Sequence, residues 1–174
     1  MEIYLVRHTK PEISKGVCYG QSDLELANSF QEELTHVLSQ LPEKVEVIYS
    51  SPLKRCLELA RSIPHKDLRQ ADQLKEMDFG DWELKPWDSI PLEELNPWME
   101  DFVEQPVPNG ESMRLLAERI TPWFRELIAA NHQQLVIVTH AGPIRIILSL
   151  IHETPLEEAF QRYQVEYGEV ILLP

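Results

Sequence analysis

The sequence predicts an α/β fold, a three-layer, open and mostly parallel sheet with helices on both faces. Two observations carry this. Short apolar, β-branched runs alternate along the chain with stretches whose apolar residues fall at helical spacing. Three of those runs also end in polar side chains, and open sheets of this kind take their ligands beyond the carboxyl ends of their strands.

Residues 2–7 read as a first strand, running without a spacer into Arg7-His8 ("YLVRH"). From about 24 to 41, Leu26, Phe30, Leu34, Val37, Leu38 and Leu41 recur at helical spacing. A second strand covers 45–50 (VEVIYS), and Ser51 with Pro52 then offers an N-cap and a first-turn proline to a helix through about 63. Residues 68–74 read as a short strand. The stretch 75–111 changes character, since five prolines, three of the four tryptophans and many acids mark an irregular insertion with a short helix near 92–103. An insertion of that length in a compact domain is expected to be a lid or a binding wall. Ser112 can cap a helix over about 113–131, with Met113, Leu116, Ile120, Phe124, Leu127 and Ile128 as its core face and a kink expected at Pro122. Residues 134–139 (QLVIVT) form a third strand and end in His140-Ala141-Gly142-Pro143, a tight turn into a helix with proline near its start. A final strand is expected over about 165–173. At 174 residues, one domain over 1–174 is the default, insertion included.

Composition narrows the function classes. The net charge of −13 argues against nucleic acid and anionic membrane as partners, since both need a basic surface. No run of about 18 apolar residues could span a bilayer, and Met1-Glu2-Ile3 lacks the basic start of a signal peptide, so a cytoplasmic location is expected. Cys18 and Cys56 read as reduced thiols, and the six histidines show no HxxxH or HExxH pairing that would place two metal ligands on one helix face. No metal is implied.

The three strand ends carry the chemistry. Arg7 and His8 follow the first, Ser51 with Arg55 one helical turn later follows the second, and Thr139 and His140 follow the third. Burying an arginine unpaired is costly, and no carboxylate adjoins Arg7 in sequence, so the missing partner is read as a bound anion. An arginine in a helix's first turn opposes the dipole unless a phosphate lies between the two. Neighbouring guanidinium groups would also keep a histidine neutral and nucleophilic.

The segments R-H-T at 7–9, "CYGQSDLEL" at 18–26, "SSPLKRC" at 50–56, "EMDFGDWE" at 76–83, "NGES" at 109–112 and "VTHAG" at 138–142 agree in order and spacing with the histidine phosphatase superfamily, which the chain resembles from end to end. The resemblance implies a phosphoglycerate mutase-like fold and a metal-independent phosphoric monoester hydrolase without a cofactor. It implies that His8 attacks phosphorus and becomes a phosphohistidine, and that Arg7, Arg55 and His140 hold the phosphoryl oxygens. Glu76 is the implied acid, which must arrive protonated, a state that Phe79, Trp82 and the bound phosphate would favour. Gly20, Gln21 and Ser22 lie in a loop expected to border the substrate. Three positions depart from the family's pattern: Thr9 replaces a common glycine, Pro11 a hydroxyl residue, and Ser14 an asparagine that touches phosphate.

Within the superfamily the "RHT…CYGQSD" opening and "EMDFGDWE" are most similar to α-ribazole phosphatases. That similarity implies α-ribazole 5′-phosphate, in cobalamin biosynthesis, as the small-molecule monoester, with Trp87, Trp98 and Phe102 as an aromatic wall. A broad-specificity or phosphohistidine-protein phosphatase is the alternative, and a non-enzymatic phosphate-binding protein on the same fold is the reading from another class.

Overall fold

The computed structural model describes residues 1–130 and 132–174. Among these, strands β1 (Glu2–Arg7), β2 (Val45–Ser50), β3 (His65–Gln70), β4 (Gln134–Thr139) and β5 (Val170–Leu172) form one sheet in the order β3-β2-β4-β1-β5. All neighbours are parallel except β5, which runs antiparallel to β1. From Val47 onward β2 alternates between the two faces of the sheet, as β1 and β4 do. Leu5, Val47, Leu135 and Ile137 face a core built on helices α4 (Met113–Ala129) and α5 (Ala141–Ile151), while Val6, Ile48, Val136 and Val138 face α1 (Phe30–Leu38) and α2 (Lys54–Ser62). Strands buried on both faces read as unbroken apolar runs, which is why β1, β2 and β4 stand out in the sequence. Each of these wholly buried aliphatic side chains contributes about 1.5–3 kcal/mol of transfer free energy.

The boundaries differ from the expectations where tertiary contacts override local pattern. Residues 24–27 are not helical: Glu12 N donates to Glu25 O and Ala27 N to Lys10 O, so this stretch is drawn out as an extended partner of the loop after β1. Helix α2 starts at Lys54, with an extended Leu53 before it, because the Ser51 side chain is turned inward and meets His140 instead of capping. Strand β3 begins earlier than expected, at His65. As an edge strand with exposed side chains on both faces it carries no apolar alternation to read. Ser112 does cap α4, accepting from Leu115 N at 3.2 Å. That helix continues through Pro122 to Ala129, and the expected end at 131 lies outside the described residues.

The final strand is shorter than expected because 165–169 form a loop. Gly168 turns at φ +67° and its N–H donates to His8 O, which folds the loop over the end of β1. The 75–111 stretch holds short 3₁₀ turns and one helix, α3 (Leu92–Glu100), close to the expected position. A last short helix, α6 (Ala159–Arg162), precedes the closing loop.

Candidate active site

Register brings the strand ends together. Arg7 pairs with Thr139 across β1 and β4, His8 N donates to Thr139 O at 2.9 Å, and Ser51 N donates to Val138 O at 2.9 Å. The side chains of His8 and His140 therefore meet at the carboxyl edge, edge to face, with ring centroids 5.0 Å apart.

His8 is almost wholly buried, and its Nδ1 lies 2.7 Å from the Thr9 carbonyl. A carbonyl can only accept, so Nδ1 carries the proton and Nε2 holds a lone pair. Arg55 Nε donates to that lone pair at 3.3 Å. Burial, then the charges of Arg55 and Arg7, hold the His8 pKa well below its ordinary value. Burial and the same arginines depress His140 as well.

Arg55 is fully buried. Beyond His8 its fork donates to the carbonyls of Ser22 and Gly20, and no carboxylate pairs with it among the described residues. Arg7 donates Nη1 to Val165 O at 2.6 Å and lies with its guanidinium carbon 3.9 Å from the centre of the Tyr167 ring. Its Nε is buried without a partner. Two arginines, two neutral histidines and an orphaned donor make a site whose deficit is an anion.

Arg7, His8, Glu76, Phe79, Trp87, Arg145 and Tyr167 line a cavity of about 240 Å³. Arg55 and His140 are fully buried beside His8 and are not among the residues that line the cavity. His140 Nε2 lies 2.9 Å from Ser51 Oγ, with Cys56 Sγ 3.4 Å from the same nitrogen. Glu76 reaches the cavity from the insertion, its two oxygens accepting from Met77 N at 2.9 Å and Gly142 N at 3.2 Å. Gly142 lies against it so closely that a Cβ there would come within 2.1 Å of Oε1. Phe79 shares the wall as expected. Trp82 does not: it is buried, with Nε1 donating to Glu94.

Gly20, Gln21 and Ser22 surround the site in an unexpected way. Their backbone N–H groups all donate to the Glu83 carboxylate, at 3.0, 2.8 and 3.0 Å, and the Ser22 hydroxyl donates to it as well. Burial works against that carboxylate, but the hydrogen bonds from Ser22, Gly20 and Gln21 hold its pKa below the usual range. With their donors spent on Glu83, these residues turn carbonyls toward Arg55, and the Gln21 side chain donates to Glu76 O. Ser14 is exposed on a neighbouring groove of about 380 Å³, which shares Val17, Tyr19, Trp87 and Tyr167 with the cavity. Pro11 is buried against Leu26, and Thr9 is buried with its hydroxyl unpartnered.

Tyr19, Glu83, Arg145 and Tyr167 are the residues that sequence reasoning missed. Tyr19 and Tyr167 share a short hydroxyl–hydroxyl contact over the site, and burial, then the Tyr167 partner, push the Tyr19 pKa up. Glu83 lies in the quoted "EMDFGDWE", and Arg145 follows His140 by little more than a helical turn, so both had a positional signal. Tyr167 had none. Among the described residues, no group of three or more His, Cys, Asp or Glu is arranged to hold a metal ion, and no helix is long and apolar enough to cross a membrane.

The model of the histidine phosphatase superfamily (branch 1) matches residues 3–173. A protein of Hydrogenobacter thermophilus with the provisional name phosphoserine phosphatase 2 is 31% identical over 175 residues, covering 95% of this chain and 86% of its own. The adenosylcobalamin/α-ribazole phosphatase of Escherichia coli is 23% identical over 177 residues, covering 97% and 87%. In structure, the α-ribazole phosphatase of Shigella flexneri matches with a TM-score of 0.89 at 22% identity, over 99% of this chain and 89% of that one. The phosphoglycerate mutase of Thermus thermophilus matches with a TM-score of 0.75 at 23% identity, over 99% and 92%.

Proposed function

The chain belongs to the histidine phosphatase superfamily, branch 1, and from that premise we propose that it hydrolyses small phosphate monoesters through a phosphohistidine on His8, the whole of 1–174 acting as one unit. The observation that carries this is the fixed tautomer of His8. Nδ1–H is tied to the Thr9 carbonyl, so the Nε2 lone pair stands free of a proton at the wall of a cavity short of negative charge.

On this reading Nε2 attacks phosphorus, the N–P bond forms, and the ester P–O bond breaks. Arg55 Nε, now on Nε2, and the unpartnered Arg7 Nε move onto the equatorial oxygens as charge spreads there. His140 joins them only if its Nε2 releases Ser51. Protonated Glu76 gives its proton to the departing alkoxide, and as a carboxylate it then takes a proton from the water that attacks the phosphohistidine. Inorganic phosphate and a protonated Glu76 result, closing the cycle.

For the alcohol, the sequence points to α-ribazole, and the name of the E. coli relative gives that reading support. Of the aromatic wall, Trp87 borders the cavity and can meet a flat benzimidazole, whereas Trp98 and Phe102 pack behind it in a cluster with Trp82. The test is acid-quench trapping of ³²P from labelled substrate in EDTA, in wild type and His8→Ala. Label on wild type that turns over and is absent from the variant is expected; label-free turnover, or a bound phosphate that never turns over, would sink the proposal. The ratio of kcat/KM for α-ribazole 5′-phosphate to p-nitrophenyl phosphate then decides the alcohol. About a hundredfold, equivalent to about 2.7 kcal/mol, supports α-ribazole, and a ratio near one leaves a phosphatase of broader range.

A further inference from the structure

The phosphohistidine chemistry leaves one charged group at the cavity without a task. Arg145 lies on α5 three residues beyond Gly142, hence on the same helix face and about 4.5 Å along it. Its Nε donates to the Tyr163 carbonyl at 3.1 Å, and its guanidinium carbon sits 4.6 Å from the centre of the Phe160 ring. Those two contacts fix the plane of the fork and use one of its five N–H donors. No carboxylate pairs with it among the described residues. Its Nη atoms make no hydrogen bond among the described residues and are not buried. The side chain lines both the main cavity and an adjoining apolar nook of about 80 Å³ walled by Met113, Leu116 and Phe160, together with Glu76 and Phe79. Burial lowers its pKa, the Glu76 carboxylate raises it, and the Arg7 charge lowers it again. A half-buried guanidinium held rigid by a carbonyl and an aromatic face, with its free end toward the site, is built to receive a planar anion.

We propose that Arg145 is a specificity-determining residue that pairs with an acid group carried by the leaving alcohol, so that the preferred substrates are phosphorylated short hydroxy acids. This rests on the phosphohistidine reading, which places the ester oxygen at Glu76. Glu76 is itself held by Gly142 N, three residues before Arg145 on the same helix, so the ester oxygen and the guanidinium share one end of the cavity, and the small nook beside both admits only a short carbon chain. The α-ribazole alcohol brings no acid there, so Trp87 and Arg145 select different substrates at the same site.

The test compares two substrates that differ by one carboxylate, O-phosphoserine and ethanolamine phosphate, in EDTA at one pH. A charge-assisted pair predicts a kcat/KM ratio of about 30 in wild type, equivalent to about 2 kcal/mol. The ratio is expected to fall to near one in Arg145→Gln and to an intermediate value in Arg145→Lys, which keeps the charge but not the fork. A wild-type ratio near one overturns the proposal without recourse to any variant. So does a parallel loss of both substrates in Arg145→Gln with the ratio kept, which would place the guanidinium on the phosphoryl group. Label on His8 alongside a ratio near one removes Arg145 alone; absence of label with either substrate removes the phosphohistidine reading beneath it.

Discussion

The floor of the cavity and its wall are assembled by different means. On the floor, Arg7, His8, Ser51, Thr139 and His140 fall on the last or next residue of β1, β2 and β4, so parallel register alone brings them together. On the wall, Glu76, Phe79, Trp87, Arg145 and Tyr167 come from the insertion, from α5 and from the closing loop; Glu76, Arg145 and Tyr167 are held by side-chain hydrogen bonds to residues distant in sequence, and Phe79 and Trp87 by aromatic packing. On the proposed chemistry the floor meets the phosphoryl group whatever the alcohol, and the wall meets the alcohol. Function that depends only on phosphorus would then be written into strand ends, and function that depends on the alcohol into contacts that a variant can alter without touching the sheet.

The sharpest way to break this division is at Arg55. Each of its three guanidinium nitrogens donates once, to His8, Ser22 and Gly20, which leaves two N–H groups over for an anion. Lysine cannot span them, so Arg55→Lys is expected to lower kcat by about 10²–10³-fold on every monoester, aryl or alkyl, as loss of an oxyanion donor does. Stopped-flow release of p-nitrophenol together with phosphate release from an alkyl ester measures both. A loss confined to one class would move Arg55 to the wall.

Glu76 belongs to the wall and should show the opposite pattern. Removing a general acid from an alkyl ester is expected to cost about 10²-fold in Glu76→Gln, whereas p-nitrophenolate leaves without a proton and should be slowed far less. Equal losses on both substrates would take Glu76 out of this role. Gly142→Ala tests the same group from behind, because the new Cβ would meet Glu76 Oε1 at 2.1 Å and displace the carboxyl. An alkyl-selective loss of about tenfold is expected there, smaller than in Glu76→Gln because the acid is displaced and not removed. An unchanged alkyl-to-aryl ratio in this variant would show that the position of the carboxyl is not what matters.

The same division explains what could be read from the sequence. Strands β1, β2 and β4 are buried on both faces and so announce themselves, and with them come Arg7, His8, Ser51, Arg55 and His140. Edge strand β3 has no apolar alternation to mark its start, and the extended 24–27 segment carries Leu26 at helical spacing while tertiary bonds to the loop after β1 hold it extended. In the candidate site, Gly20, Gln21 and Ser22 were legible as neighbours of the site but not in their posture, because that is set by Glu83, more than sixty residues away in sequence. The clearest loss is Tyr167, which enters through a loop that reads as strand until Gly168 and its bond to His8 O are seen.

The gentlest test separates the floor from the 20–22 loop beside it by pH. Burial, with the arginine charges behind it, depresses both His8 and His140 below the ordinary histidine value near 6.5. Above pH 6.5 both are neutral, folded or unfolded, and contribute no pH dependence. As pH falls below 6.5 the unfolded chain takes up protons that the folded chain refuses, so stability falls by at most about 1.4 kcal/mol per pH unit for each histidine. Glu83, which braces the 20–22 loop beside the site, behaves differently. Its folded value is depressed below the carboxylate range, so the stability it contributes stays in place through this window and is lost only as pH falls below about 4.5. Urea unfolding from pH 7.5 to 3.5 should therefore show two declines. His140→Asn is expected to halve the upper one and leave the lower, whereas Glu83→Gln removes part of the lower and leaves the upper. A flat profile between pH 7 and 5 would mean that the buried histidines have found negative partners in the folded chain, and the anion deficit from which the floor's function is inferred would disappear with it.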